Sequence, residues 1–228
     1  MNTFEVKPIA RIESDFHTKF GIPRQAGLVE ELTAKIVFEP EFRQEEALRG
    51  IEEYSHLWLI WQFSANADAP WSPTVRPPRL GGNTRVGVFA TRSPFRPNSL
   101  GLSCVRLQRV EKDAARGLVL VVSGADLMNG TPIFDIKPYV PYSDCFPEAA
   151  CAFATRPEAT LQVTFEGETT ALVPPEKLGA LKGVLACDPR PHYQNDPERV
   201  YGMEFAGMDV RFTVADGMLT VREIVRLP

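Results

Sequence analysis

The fold is decided by the stretch Ser55-His56-Leu57-Trp58-Leu59-Ile60-Trp61-Gln62-Phe63-Ser64. Its apolar run, Leu57 to Trp61, is far shorter than the roughly 20 residues that a membrane-spanning helix needs. A short run of this kind, rich in aromatic residues, is typical of a buried strand. We therefore predict a core strand whose aromatic rings pack in the interior, with His56 as a structural histidine at its start.

Short stretches that favour strands, separated by turns, fill the first 145 or so residues around this one. Residues 119–122, Val-Leu-Val-Val, are typical strand formers. One helix is predicted over 44–53, because Ala47, Leu48 and Ile51 recur at helical spacing. The other strands are predicted at 4–12, 34–38, 85–89, 102–110 and 118–123, and Pro- and Gly-rich linkers at 70–82, 93–101 and 130–141.

Strands at this spacing without regular helices between them favour an antiparallel barrel or sandwich over a doubly wound sheet. The composition then changes near residue 150. An Ala-rich short helix or linker is predicted at 146–157, followed by a strand at 161–165 and a helix at 176–186. A hairpin is predicted from 208–214 and 219–225 around Asp216-Gly217. We expect a mainly β chain, with one domain at 1–150 and a smaller α+β domain at 151–228.

The charge distribution points to one anionic partner. The chain has 25 Lys and Arg against 29 Asp and Glu, a net charge of −4. Between residues 69 and 110 there are seven arginines and no acidic residue, so the rest of the chain carries a balance of −11. A local basic region of this kind suits binding of one anion at one place. The alternative is that the arginines are spread around a sheet and solvated.

Composition and missing motifs exclude several classes of protein. With 44% hydrophobic and 24% charged residues, the 228-residue chain is not disordered. The first residues lack the pattern of a signal peptide, so we expect a cytoplasmic protein with four reduced cysteines, no membrane segment and no metal. The chain has neither a G-x-G-x-x-G nor a P-loop motif, and three histidines argue against a Ser-His-Asp triad.

Several loops present arginine beside rigid Pro and Gly residues. The segments 75–83 and 87–101 contain Arg76, Arg79, Arg92 and Arg96. Prolines fix the backbone and glycines permit close approach, so these arginines can hold phosphate or carboxylate. They can equally cap the carbonyl groups of tight turns.

Three more segments combine polar groups in the same way. The turn 20–27 presents Arg24 and Gln25 in this way. The alternative interpretation is that this turn is only a solvated loop. Asp126 follows a strand and either caps the next turn or accepts hydrogen bonds from a ribose or an amino group. Candidates for contact with an unpaired base and a phosphate are Arg190 and Tyr193 in the loop 188–193.

The set of motifs, in this order, resembles one family. The matching pieces are Phe20-Gly21-Ile22-Pro23-Arg24-Gln25, Ser55-His56-Leu57-Trp58, Arg76-Pro77-Pro78-Arg79-Leu80-Gly81-Gly82, Gly87 through Asn98, Asp126-Leu127, Gly130-Thr131-Pro132, Asp135-Ile136-Lys137-Pro138-Tyr139 and Asp188-Pro189-Arg190-Pro191. Together they resemble the TrmO family, also called YaeB or TsaA-like, of tRNA N6-threonylcarbamoyladenosine methyltransferases.

The resemblance implies a β-barrel enzyme that works as a homodimer with S-adenosylmethionine as donor. It would add a methyl group to N6 of threonylcarbamoyladenosine beside the anticodon of tRNA, with the smaller domain contributing to tRNA binding. Similar sequences often have His where this one has Ser64, and Asp where it has Asn129. The implied donor-binding residues are Pro23, Arg24, Gln25, Ser64, Ala65, Arg92, Leu102, Asp126, Leu127, Met128 and Asn129. The implied tRNA-binding residues are Arg76, Arg79, Arg96, Lys137, Arg190 and Tyr193.

The chemistry of the acceptor suggests two catalytic candidates. N6 carries a urea-like substituent, so a nearby base would help to remove its proton. These candidates are Asp135 and Tyr139. Two structural interpretations are equally open: Asp135 only accepts hydrogen bonds in a turn or orients Lys137, and the ring of Tyr139 only packs. The alternative function is a non-catalytic barrel that binds RNA or an adenosine-type ligand. A hydrolase based on Asp135 has little support, because no paired acid or metal cluster accompanies it.

Overall fold

The structure is a computed structural model that describes residues 4–154, 160–191, 194 and 196–228. Its described residues form twelve strands and two α-helices, α1 (Pro141–Asp144) and α2 (Pro175–Ala186). The strands are β1 (Ala10–Glu13), β2 (Thr33–Phe38), β3 (His56–Gln62), β4 (Thr74–Val75), β5 (Val86–Gly87), β6 (Leu100–Asp113), β7 (Gly117–Ser123), β8 (Pro132–Pro138), β9 (Gln162–Phe165), β10 (Tyr201–Phe205), β11 (Met208–Ala215) and β12 (Met218–Arg226). The prediction of a mainly β chain is confirmed.

Six strands pair in a ring, in the order β1-β2-β7-β6-β3-β8, and form a closed barrel. The ring closes where Ala10 of β1 lies opposite Ile133 of β8. Alternate residues of a strand face opposite sides, so Leu57, Leu59 and Trp61 of β3 point into the barrel core. The stretch that opens at Ser55 is therefore the buried strand that its composition predicts.

The closing strand was not predicted. Residues 130–141 read as a Pro- and Gly-rich linker, yet β8 lies between β3 and β1 and hydrogen-bonds to both. Its prolines, Pro132 and Pro138, occupy the two ends of the strand, where a missing N–H does least harm to the ladder. The linker prediction is wrong for these seven residues.

The helix predicted at 44–53 is also wrong. Two short 3-10 helices, Glu45–Leu48 and Ile51–Glu53, replace it. Gly50 between them has a φ of 84°, a left-handed conformation that ends a helical turn. The periodic apolar residues Leu48 and Ile51 still pack against the barrel core.

Two predicted strands are shorter than expected. The strand predicted at 4–12 begins only at Ala10, and Phe4 and Val6 are exposed. At 85–89 only β5 is extended, and a 3-10 turn at Val88–Ala90 follows it. Of the Ala-rich stretch 146–157, residues 146–154 form no helix and the rest lies outside the described residues.

A second core lies between α2 and a four-stranded sheet of order β10-β11-β12-β9. The predicted helix and hairpin are confirmed here. Asp216 and Gly217 have φ values of 49° and 75° in the turn between β11 and β12, as a two-residue hairpin turn of this type needs.

The segment 14–32 belongs to this second core although it precedes most of the barrel strands. Phe16, Val29 and Leu32 are buried there. The rings of Phe16 and Phe205 lie 5.5 Å apart at a steep angle. Lys177 Nζ of α2 lies 2.7 Å from Asp15 Oδ2. One segment thus runs from the barrel into the second core and back. No helix among the described residues is long and apolar enough to span a membrane.

Candidate functional site

An open cavity of about 480 Å³ lies at the end of the barrel where β3 ends and β6 begins. Four separate parts of the chain line it. They are residues from 19–25, 61–66, 91–102 and 126–131. Its size is within the roughly 300–1,000 Å³ of sites that enclose small ligands.

The first wall is the turn that contains Pro23, Arg24 and Gln25. Gly21 precedes it with a φ of 93°, and a Cβ there would lie 2.2 Å from the sulfur of Met203. After the turn, the N–H of Gly27 donates to the carbonyl of Gly124 at 2.8 Å. The turn is therefore held by the second core on one side and by the barrel on the other.

The ring of Trp61 forms the floor of the cavity. Trp61 pairs with Gly101 across β3 and β6, and a Cβ on Gly101 would lie 2.3 Å from the indole. The ring also packs against Phe63, with centroids 4.4 Å apart. Glycine at position 101 leaves room for this indole at the floor of the cavity.

A chain of hydrogen bonds connects this indole to a carboxylate. Trp61 Nε1 donates to Ser103 Oγ at 3.0 Å, and Ser103 Oγ donates to Asp126 Oδ1 at 2.6 Å. Burial raises the pKa of Asp126, and the hydrogen bond from Ser103 partly opposes this shift. Asp126 is the one carboxylate among the described residues that line the cavity.

Three guanidinium groups lie at the mouth of the cavity. Arg92 donates a hydrogen bond to Gln25 Oε1. Arg96 donates to the carbonyls of Val88 at 3.3 Å and Thr91 at 2.6 Å. The pKa of Arg24 is lowered, first by desolvation and then by the positive charge of Arg79. The mouth is therefore positively charged while the floor holds a carboxylate.

Lys19 is a cavity residue that sequence reasoning missed. Its Nζ donates to the carbonyl of Ala65 at 2.9 Å and to Asn66 Oδ1 at 2.6 Å, so it holds the turn that follows β3. Its place immediately before the Phe20-Gly21-Ile22 motif is the one signal that could have found it. The other lining residues not predicted are Ile22, Trp61, Gln62, Phe63, Asn66, Thr91, Pro94, Leu100, Gly101 and Thr131.

Most of the donor-binding residues predicted from the sequence line this cavity. Two do not. Leu127 is buried in the barrel core. Asn129 holds a loop, because its N–H donates to the carbonyl of Phe16 at 2.7 Å and its Oδ1 accepts from the N–H of Ser14 at 3.1 Å. Those that line the cavity are Pro23, Arg24, Gln25, Ser64, Ala65, Arg92, Leu102, Asp126 and Met128.

The predicted tRNA-binding residues lie in different surroundings. Arg96 lines the cavity, and Arg76 and Arg79 are exposed on the loop between β4 and β5. Arg190 is bound to Asp188, with Nε to Oδ1 at 2.9 Å and Nη2 to Oδ2 at 3.0 Å. Tyr193 lies outside the described residues.

The two predicted catalytic residues lie on the outer face of β8 or just beyond it. Asp135 Oδ2 is 3.0 Å from Lys137 Nζ, and the side chains of Lys137 and Asp135 are 62% and 45% exposed. Asp135 pairs with Ile60, which in turn pairs with Leu102 of the cavity wall. With strands spaced about 4.8 Å apart, its backbone is about 10 Å from that of Leu102.

Tyr139 lies farther from the cavity. Its N–H donates to the carbonyl of His56, at the opposite end of β3 from Trp61. Five residues of strand make this separation roughly 16 Å. Desolvation and a contact with Cys145 raise the pKa of the Tyr139 phenol, so it keeps its proton at neutral pH.

Comparison with protein families gives two matches that together cover most of the chain. The family model for the tRNA-methyltransferase O N-terminal domain matches residues 11–145. The model for the TrmO C-terminal domain matches residues 158–227.

Individual relatives agree with these matches. The chain is 40% identical over 227 residues to the tRNA (adenine(37)-N6)-methyltransferase of Escherichia coli K12, covering 95% of each protein. It is 41% identical over 220 residues to the putative S-adenosylmethionine-dependent methyltransferase RcsF of Pseudomonas aeruginosa, covering 92% of each. The crystal structure of TrmO from Pseudomonas aeruginosa superposes with a TM-score of 0.79 at 33% identity, over 98% of this chain and 99% of that one.

Proposed function

The chain belongs to the tRNA-methyltransferase O family, and on this premise we propose that it methylates N6 of adenosine 37 in tRNA with S-adenosylmethionine as donor. The observation that carries the proposal is the cavity whose floor holds Asp126 and whose mouth holds Arg24 and Arg92. It supplies a site for the donor that does not depend on a doubly wound fold.

The residues of the cavity fit the chemistry of the donor. Trp61, Leu102 and Met128 offer apolar and aromatic surface for an adenine ring. The carboxylate of Asp126 suits the ribose hydroxyls or the ammonium group, and a guanidinium suits the carboxylate of the methionine part. Because these side chains match the two charges and the flat adenine base of S-adenosylmethionine, we assign this cofactor to the cavity.

Catalysis by this site is mainly positioning. S-adenosylmethionine supplies an electrophilic methyl group on a positively charged sulfur. The chain's own contribution is to hold N6 in line with that methyl group and to keep water away. Neither task needs a covalent intermediate on the protein.

The acceptor is proposed to be the threonylcarbamoyl form of adenosine 37. That group carries a carboxylate, and the anticodon loop carries phosphates. Arg76, Arg79 and Arg96 lie on the loops of the basic window, and Arg96 is held by two backbone carbonyls. Guanidinium groups on such pre-shaped loops suit both kinds of anion.

Aromatic side chains on the same loops support a single-stranded RNA substrate. Trp71, Phe89 and Phe95 are exposed, and the guanidinium of Arg96 lies 5.8 Å from the centre of the Phe89 ring. Exposed rings beside cations provide stacking surfaces for the unpaired bases of a loop. We therefore propose that the anticodon loop lies across 71–96, with Lys137 as a further contact.

Asp135 is the better of the two candidates for taking the N6 proton. Its carboxylate is accessible at the barrel surface, two strands from the cavity wall. Tyr139 is less suited, because its raised pKa keeps the phenol protonated. In this proposal Lys137 pairs with Asp135 and orients its carboxylate, and Tyr139 contacts the substrate without acting as base.

We further propose that the enzyme is a homodimer. Tyr142 and Phe146 beyond β8 are exposed apolar side chains outside the donor cavity. A second copy of the chain would remove such surface from water. Light scattering of the purified protein should then give twice the chain mass of 25.4 kDa.

Incubation with labelled S-adenosylmethionine tests the proposed reaction. Transfer to tRNA that carries threonylcarbamoyladenosine is expected, with the methyl group found on N6 by nucleoside mass spectrometry. The same tRNA without the threonylcarbamoyl group is the control and should gain no methyl group. Binding of the donor with no transfer to either tRNA would instead favour the non-catalytic binding module.

A further inference from the structure

We infer that the smaller C-terminal unit completes the donor site, because Asp188 and Arg190 position Arg24. This rests on the proposed function, which assigns Arg24 to the donor. The guanidinium Nη2 of Arg24 donates to the backbone carbonyl of Arg190 at 3.2 Å, across 166 residues of sequence. A residue of the C-terminal unit therefore determines where a cavity residue lies.

The side chain of Arg190 fixes the position of the backbone carbonyl of the same residue, because it is bound to Asp188. Asp188 accepts three hydrogen bonds from Arg190, from the backbone N–H at 3.2 Å, from Nε at 2.9 Å and from Nη2 at 3.0 Å. The side chain of Arg190 is only 13% exposed. A two-pronged pair of this kind fixes both orientation and distance. The hydrogen bond to Asp188 also raises the pKa of Arg190.

The backbone of this loop is shaped for the same purpose. Asp188 has a φ of 52°, a conformation that costs free energy in a residue with a side chain. It follows Cys187 at the end of α2, whose last turn packs in the second core. The loop is thus tied to a rigid helix at one end and to its own ion pair at the other.

Further contacts bring the same two parts together. Gly21 lies against Met203, and a Cβ on Gly183 of α2 would lie 2.5 Å from Val29. These contacts flank Arg24 in sequence, so the second core supports the whole turn and the hydrogen bond to Arg190 sets its tip. Arg190 is therefore a positioning residue for donor binding rather than an exposed anchor for tRNA.

Arg190→Ala should weaken binding of S-adenosylmethionine roughly threefold to thirtyfold in calorimetry, the range for residues that act through another residue. In kinetics it should raise KM for the donor and leave kcat nearly unchanged at saturating donor. Arg190→Lys should restore part of the affinity. Asp188→Asn keeps the shape of Asp188 and tolerates the positive φ, so it tests the ion pair with little risk to the fold.

A double-mutant cycle separates this role from a general loss of structure. In an Arg24→Ala background, adding Arg190→Ala should change donor affinity by less than about twofold, because the residue acts through Arg24. Arg211→Ala is the matched control, since Arg211 forms ion pairs with Asp209 and Glu223 in the same unit but away from the cavity. It should bind donor as the unaltered protein does.

Two results would overturn the inference. One is normal donor affinity in Arg190→Ala with weakened tRNA binding, which would make Arg190 a tRNA contact. The other is an equal loss of donor affinity in Arg190→Ala with and without Arg24. Unchanged donor affinity in Arg24→Ala alone would instead show that the donor site is assigned wrongly.

Discussion

Asp126 and Asp135 are nine residues apart in the chain, yet the fold gives the two carboxylates opposite surroundings. Asp126 lies at the floor of the cavity and accepts a hydrogen bond from Ser103. Asp135 lies on the outer face of β8 and pairs with exposed Lys137. The difference shows that the side of the barrel wall on which a carboxylate lies, rather than its residue type, decides its chemistry. We assign donor binding to the inner one and proton removal to the outer one.

Replacing the outer carboxylate should have the largest effect. Asp135→Asn removes the proposed base, so kcat should fall by about 100-fold or more. Donor affinity should stay within about twofold, because the two sites are far enough apart to act independently. Single-turnover methyl transfer and calorimetry measure the two quantities. Unchanged kcat would remove Asp135 from the mechanism.

Replacing the inner carboxylate should have the complementary effect. Asp126→Asn keeps an oxygen for the hydroxyl of Ser103 but loses the charge that a donor ammonium or hydroxyl group contacts. Donor affinity should fall roughly 10- to 100-fold, the range for a hydrogen bond to a charged group. Calorimetry with S-adenosylmethionine checks this, and Asp135→Asn is its control. Equal affinity in the two variants would abolish the distinction between them.

The packing behind the inner carboxylate predicts a stability effect. Gly101→Ala places a Cβ within 2.3 Å of the Trp61 indole, and overpacking of this kind costs about 1–3 kcal/mol of the free energy of unfolding. At this chain length each kcal/mol lowers Tm by about 2–4 °C. Gly87→Ala is the control, because a Cβ there meets no atom within 4 Å. Similar melting of both variants would contradict the close fit at Trp61.

The pH dependence of donor binding should show the smallest effect. Burial raises the pKa of Asp126 above the value near 3.9 of an ordinary aspartate, so on acidification its carboxylate takes up a proton at a higher pH. Donor affinity should therefore fall as the pH falls through this raised pKa, by at most about tenfold per pH unit. The charges nearby are those of Arg92 and the donor itself.

Folding stability has the opposite dependence on this group. A raised pKa means that the folded chain binds the proton more tightly than the unfolded chain. The contribution of Asp126 to the free energy of unfolding is therefore present at low pH and lost as the pH rises through its folded pKa. Calorimetry at several pH values, with Asp126→Asn as reference, separates binding from unfolding. A slope that persists in the variant would belong to another group.

The sequence by itself determined the mainly β class, the buried strand at 56–62, the helix α2 and the hairpin at Asp216-Gly217. These features depend on neighbouring residues, through side-chain periodicity and turn chemistry. The motif order also pointed to ten residues that line the cavity, nine of them as donor-binding residues and Arg96 as a tRNA-binding residue. Local pattern was misleading where tertiary contacts prevail, as at Gly50, where a left-handed residue divides the periodic stretch, and at Pro132–Pro138, where two partner strands make a proline-flanked segment extended.

Only the tertiary structure decided how these pieces meet. The hydrogen bonds from Trp61 to Ser103 and from Ser103 to Asp126 join residues 42 and 23 positions apart, and the one from Arg24 to Arg190 spans 166. Periodicity tells which face of a strand is buried but not which strand it pairs with, because pairing depends on the register and closure of the whole barrel. For the same reason the sequence could group Arg190 with tRNA contacts, while the fold places its carbonyl against Arg24.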